Sequence, residues 1–119
     1  MKVIIAGSRS INDEKLIEME MENIINYKHE IVCGMAKGVD LISRKIAIKH
    51  GLIVHEFPAD WDSYGKSAGY KRNVQMADFA DALLAFWDGE SRGTQHMINI
   101  AKEKKLKIRI VYIKKEEVE

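Results

Sequence analysis

The amino-acid sequence predicts a three-layer α/β domain, about five parallel strands with helices on both faces. Short apolar runs, such as Val3-Ile4-Ile5-Ala6 and Ala82 to Trp87, alternate with segments whose apolar residues recur at helical spacing. The runs are apolar throughout, as strands buried on both faces require. Glycine-bearing polar loops punctuate the passage from strand to helix. Together these observations describe a small Rossmann-like sheet. A chain of 119 residues suffices for one such domain with a real core, and is too short for two.

Val3 to Ala6 is a strand that runs into the loop Gly7-Ser8-Arg9-Ser10. Ser10 with Asp13 offers a capping box, and Ile17, Met21, Ile24 and Ile25 then share one helical face. His29 to Cys33 forms the second strand and Gly34-Met35-Ala36-Lys37-Gly38 its loop. Val39, Ile42 and Ile46 mark the next helix, which Gly51 closes in a left-handed cap. Leu52 to Phe57 is the third strand, and a long polar connection, Pro58 to Gly69, leads to a helix over Tyr70 to Phe79. Asp81 to Trp87 is the fourth strand, Thr94 to Lys104 a helix, and Lys107 to Ile113 the last strand. The domain is expected to span residues 1–119, with the charged end, Lys114 to Glu119, frayed.

Composition narrows the function. Nineteen basic and eighteen acidic residues leave a formal net charge of +1, so no global field draws the chain to nucleic acid or an anionic membrane. Any bound anion must be held locally. No apolar run approaches bilayer length, and Met1-Lys2 leads directly into a strand rather than a signal peptide. The one cysteine, Cys33, excludes an intramolecular disulfide and fits a reducing compartment, so a cytoplasmic location is expected. His29, His50, His55 and His96 are scattered without zinc-ligand spacing, and neither a metal nor a cofactor is expected.

Ligands of open parallel sheets collect at the carboxyl ends of the strands, and four stretches suited to anions fall on that edge. In Gly7-Ser8-Arg9-Ser10, glycine permits close approach, the serines offer hydroxyls and Arg9 can pair with phosphate; an ordinary turn has the same composition. In Gly34 to Asp40, Gly34 and Gly38 flank Lys37 at a helix N-terminus, where unpaired N–H groups favour an anion. The spacing is not that of a Walker A loop, and Asp40 can equally serve the first helical turn. Lys66, Lys71, Arg72 and Asn73 suit a sugar phosphate or a solvated helix face. Finally, Gly89 and Gly93 bracket a polar turn in which Ser91 or Thr94 can cap the following helix. Trp61, Tyr64 and Tyr70 are available to stack on a base or to cover the sheet edge.

The stretches GSRS, CGMAKGVD and FPADWDSYGKSAGYKRNVQMADFADALLAFWDGESRGTQHMI, in this order and spacing, resemble the small single-domain members of the SLOG superfamily, related to the Smf/DprA and LOG proteins. The resemblance covers residues 3 to about 112. It implies a domain that binds nucleotides or nucleotide-derived ligands, often as a homodimer. By position, Arg72 matches the arginine of the phosphoribohydrolase motif, Gly93-Thr94 its GT pair, and Gly7, Ser8 and Arg9 the first nucleotide-contacting loop. Where that motif has Pro-Gly-Gly this chain has Glu90-Ser91-Arg92, and where it has a glutamate this chain has Met97. A thioether is neither acid nor base, so the same chemistry would need a substitute from Asp40, Asp60, Asp88, Glu90 or His96.

The leading expectation is a binding module for a nucleotide or nucleotide-derived signal, held by Gly7, Ser8, Arg9, Gly34, Lys37, Gly38, Asp40, Arg72, Asn73, Ser91, Gly93 and Thr94. The alternative is a phosphoribohydrolase that cleaves the base from a nucleoside monophosphate, with Arg72 positioning the substrate. Single-stranded DNA binding comes third, since the chain is nearly neutral and shows no basic stripe. A membrane partner is not expected.

Overall fold

The structure, a computed structural model, describes residues 1–114; the tail expected to fray lies, Lys114 apart, outside the described residues. Five strands, β1 (Lys2–Gly7), β2 (Glu30–Cys33), β3 (Val54–Glu56), β4 (Ala82–Trp87) and β5 (Lys107–Tyr112), form one sheet in the order β3-β2-β1-β4-β5. Every pairing is parallel, with Ile4 opposite Val32 on one side and Leu83 on the other. The expected Rossmann-like architecture is therefore present.

Alternation along each strand divides the core in two. Val3, Ile5, Ile31, Cys33, Leu84 and Phe86 face α1 (Glu14–Glu20), α2 (Glu22–Asn26) and α3 (Val39–Lys49). Ile4, Ala6, Val32, Leu83 and Ala85 face α5 (Ala68–Phe79) and α6 (Arg92–Glu103). β1, β2 and β4 present large apolar side chains on both faces and are covered on both, which explains the absence of a polar alternation within them. The edge strand β5 instead alternates exposed Lys107 and Arg109 with partly buried Ile108 and Ile110, unlike the run apolar throughout that was expected.

Several boundaries differ from expectation for local reasons. Ile11 turns into the core, so the first helix starts beyond it, and Asp13 rather than Ser10 caps it by accepting the Leu16 N–H at 3.2 Å. The helix is broken at Met21, whose N–H is shared between the carbonyls of Ile17 and Glu18. The polar connection after Pro58 is largely helical: α4 (Trp61–Tyr64), capped by Asp60, a single 3₁₀ turn (Gly65–Ser67), and then α5, which begins at Ala68. β3 is shorter than expected, although the Ile53 carbonyl still accepts the Ile31 N–H and the Phe57 N–H still donates to the Cys33 carbonyl. Gly51 takes the left-handed conformation expected after α3, at φ +74°. No helix of the described residues is long and apolar enough to cross a membrane.

Candidate functional site

The chain leaves β1 toward β2 on one side and later places β4 on the other, so the crevice beyond the carboxyl ends of β1 and β4 is the topological switch point of the sheet. A cleft of about 500 Å³ opens there. Its walls come from the loop after β1 (Gly7, Ser8, Arg9, Ser10), the loop after β4 with the start of α6 (Asp88, Ser91, Gly93, Thr94), and α5 (Arg72, Asn73, Met76). Asp40, Trp61, Lys66 and Tyr70 complete it, with Met97 also lining the wall. A side compartment of about 140 Å³, lined by Gly34, Met35 and Pro58, shares Arg9, Ala36, Trp61 and Arg72 with it.

The two strand loops are tied across the switch point. Ser8 is buried; its N–H donates to the Phe86 carbonyl at 3.1 Å, and its hydroxyl accepts the Asp88 N–H at 3.4 Å. Asp88 shapes the following turn by accepting the N–H groups of Glu90 (2.9 Å) and Ser91 (2.8 Å) on one carboxylate oxygen. Gly89 completes the turn at φ +83°. Sequence reading missed this role, though an Asp-Gly pair before a helix is its usual signature. Ser91 occupies the N-cap position of α6, yet neither it nor Thr94 caps by its side chain. Their hydroxyls instead lie 3.3 Å apart. The first-turn N–H groups of α6 consequently carry no side-chain cap and end at the cleft, as anion-binding donors do.

Arg72 is held at the junction of the two compartments. Its guanidinium donates to the Gly34 carbonyl and, at 3.1 Å, to Asn73 Oδ1. Gly34 is required by this arrangement: a Cβ there would lie 2.7 Å from an Arg72 nitrogen and 2.9 Å from Asp40 Oδ2. Burial draws the Arg72 pKa below its ordinary value, against the pull of the Asp40 carboxylate. Buried Asn73 donates to the Gly93 carbonyl at 3.3 Å and meets His96 Nδ1 at 3.1 Å. His96 stacks at a tilt on Tyr70, with centroids 4.3 Å apart, and burial lowers its pKa.

Asp40 is buried in the first turn of α3, with Oδ2 accepting the Ala36 N–H at 3.1 Å. Met35, in the left-handed region at φ +64°, turns the chain that presents this N–H. Burial pushes the Asp40 carboxyl up to about 6, although Ala36, Arg72 and Arg9 pull the other way. Cys33, fully buried beneath α3, donates its thiol to the Asp40 carbonyl at 3.2 Å, and burial raises its pKa to about 12.

Not every residue singled out from the sequence lines this space. Lys37 is exposed and, like Gly38, outside both compartments. Gly38, at φ +80°, makes room for the neighbouring loop, since a Cβ would meet the Arg9 carbonyl oxygen at 2.7 Å. Gly7 borders the cleft, but its missing side chain serves packing: a Cβ would lie 2.5 Å from Val39 and 2.8 Å from the Phe86 carbonyl oxygen. Lys71 sits 4.4 Å above the Tyr64 ring. Of the five groups named from the sequence as substitutes for the glutamate of the phosphoribohydrolase motif, Asp40 and Asp88 border the cleft. Asp60 caps α4, while Glu90 and His96 are not among the lining residues.

The model of the YspA, cpYpsA-related SLOG family matches residues 1–64. The Gene 61 protein of Mycobacterium phage D29 is 33% identical over 113 residues, covering 86% of this chain and 89% of that one. The fold is also that of DNA processing protein A (DprA) from Streptococcus pneumoniae, with a TM-score of 0.77 over 92% of this chain at 19% identity. DprA from Helicobacter pylori, described for its single-stranded DNA binding mode, gives 0.75 over 92% at 17% identity. The chain spans 49% and 64% of these two proteins.

Proposed function

The chain belongs to the YspA, cpYpsA-related SLOG family, and from that premise we propose that it binds a nucleotide or nucleotide-derived signalling molecule in the cleft at the β1/β4 switch point. The observation that carries this reading is the first turn of α6, uncapped by side chains and opening on a cleft that also holds Ser8, Arg9 and Arg72. A phosphate there meets backbone N–H groups, the positive end of the helix dipole and a guanidinium capable of paired hydrogen bonds. In this reading Ser91, Gly93, Thr94, Ser8, Arg9 and Arg72 hold the phosphate, with Asn73 fixing the α5–α6 spacing. Trp61 is the platform for the base. Lys37 and Gly38 support the loop from outside.

Binding without cleavage is the reading favoured by Met97, which is buried and borders the cleft at the position where the phosphoribohydrolase motif that the chain resembles has a glutamate. The test is incubation of the protein with nucleoside monophosphates, ADP-ribose and cyclic nucleotides, followed by heat denaturation and chromatography. Ligand depleted by the native protein and recovered intact is expected. Free base with ribose phosphate would establish a phosphoribohydrolase, with Arg72 positioning substrate and Asp40 or Asp88 in the role of the missing glutamate.

One observation favours a second reading, single-stranded nucleic acid. Trp61, Tyr64 and Tyr70 are about half exposed on α4 and α5, beside Lys66 and Lys71. Exposed rings interleaved with cations are how single strands are held without sequence preference. Oligonucleotide affinity that falls steeply with salt and is lost in Trp61→Ala would establish it. The homodimer implied by the resemblance belongs to the proposal as well, and light scattering should give twice the chain mass.

A further inference from the structure

Most polar groups around the cleft donate hydrogen bonds: the Arg9, Lys66 and Arg72 cations and the first-turn N–H groups of α6. Two carboxylates stand against them: Asp88, engaged with the Glu90 and Ser91 N–H groups of its own turn, and Asp40. Asp40 is the buried one of the two. It is 6% exposed and lines the main compartment but not the side one. One oxygen, Oδ2, accepts the Ala36 N–H. Among the described residues no hydrogen bond reaches Oδ1, and no fully buried side-chain oxygen is without a partner, so Oδ1 keeps access to the cleft. Arg72 acts on the carboxylate through its field, since its guanidinium is bonded to Gly34 and Asn73 instead. A buried carboxylate oxygen with spare accepting capacity fits a ligand that brings its own donors.

Resting on the nucleotide reading above, we propose that Asp40 accepts hydrogen bonds from the ribose hydroxyls of the ligand and thereby selects ribonucleotides over 2′-deoxyribonucleotides. The division of the cleft supports this assignment. The phosphate cradle at α6 and Asp40 border the same main compartment, while the smaller compartment past Trp61 and Arg72 has room for a single ring system. The sugar joins phosphate to base, so it lies on the Asp40 side of that junction. Its vicinal hydroxyls are the donors that an acceptor-only group requires. A site that hydrogen-bonds a ligand hydroxyl rejects the analogue that lacks it, because the buried acceptor is left unpaired.

The test is calorimetric titration of the four nucleoside 5′-monophosphates and their 2′-deoxy and 3′-deoxy counterparts into the wild-type protein and Asp40→Asn. The amide keeps an oxygen for Ala36 and the shape of the side chain. The best ribonucleotide is expected to bind the wild type about tenfold or more tightly than its deoxy counterparts. In Asp40→Asn this ratio should collapse toward one. Equal wild-type affinity for both series would overturn the role of Asp40 and leave the nucleotide reading standing. An unchanged ratio in a folded Asp40→Asn protein would do the same. A preference for the deoxy series would overturn it in favour of the single-strand reading. Failure of all of these, and of ADP-ribose and the cyclic nucleotides, to bind a protein with native circular dichroism would remove the nucleotide reading, and this inference with it.

Discussion

Asp40 and Gly34 show how much of the candidate site is decided by single residues. Burial raises the Asp40 carboxyl from 3.8 to about 6. Between those values the native state holds a proton that the unfolded chain has released, so the contribution of Asp40 to stability falls as pH rises across that window. Above it the ionised group costs on the order of 2 to 3 kcal/mol. Asp40→Asn is therefore expected to raise the urea midpoint of the ligand-free protein at pH 7.5, with the difference fading toward pH 4. A lower midpoint at pH 7.5 would show that the ionised carboxylate stabilises the fold. Gly34 gives the opposite pattern, since the atoms nearest a Cβ there are the ends of the Arg72 and Asp40 side chains. Gly34→Ala should melt close to wild type while losing about tenfold or more in nucleotide affinity, because Arg72 is displaced. Unchanged affinity would mean that Arg72 does not need its bond to Gly34. From the sequence, Gly34 was legible as a glycine of a candidate anion-binding loop but not as the seat of Arg72, because the residue it accommodates lies 38 positions away.

At the scale of elements, periodicity located all five strands and most of the helices, because apolar spacing follows directly from which faces are buried. Boundaries were less legible, since caps depend on which neighbour enters the core, as Ile11 does ahead of Asp13. The connection after Pro58 read as polar loop because α4, at four residues, is too short to show a period. Two substitutions separate packing from binding at the carboxyl edge of the sheet. Gly7→Ala forces a methyl against Val39 of α3 and the β4 backbone, and should destabilise by about 1 to 3 kcal/mol in denaturant titrations. Gly93→Asp enters open space in the first turn of α6, so stability should change little. Its carboxylate would oppose phosphate, and nucleotide affinity should fall about tenfold or more. A folded Gly93→Asp protein that binds as well as wild type would exclude the α6 N-terminus as the anion site.

For the molecule as a whole, a near-zero net charge leaves any anion to be held by a local arrangement of charges. A formal +1 conceals Arg9, Lys66 and Arg72 around a single cleft, with exposed rings at its rim. Which loops meet was equally hidden, because strand order, not chain order, brings Ser8 to Asp88 and leaves Lys37 outside. The same topology buries Cys33 between the sheet and α3, next to the loop that holds Arg72. Its thiol, raised to about 12, is both shielded and protonated, so an alkylating reagent can modify only molecules in which this seam has parted. Cys33 thus works as a one-way clock, each modified molecule recording one opening event. Modification of the native protein should be far slower than that of the urea-unfolded chain, and saturating nucleotide should slow it further in proportion to occupancy. If ligand leaves the clock running at its original rate, the motion that exposes Cys33 does not pass through the cleft.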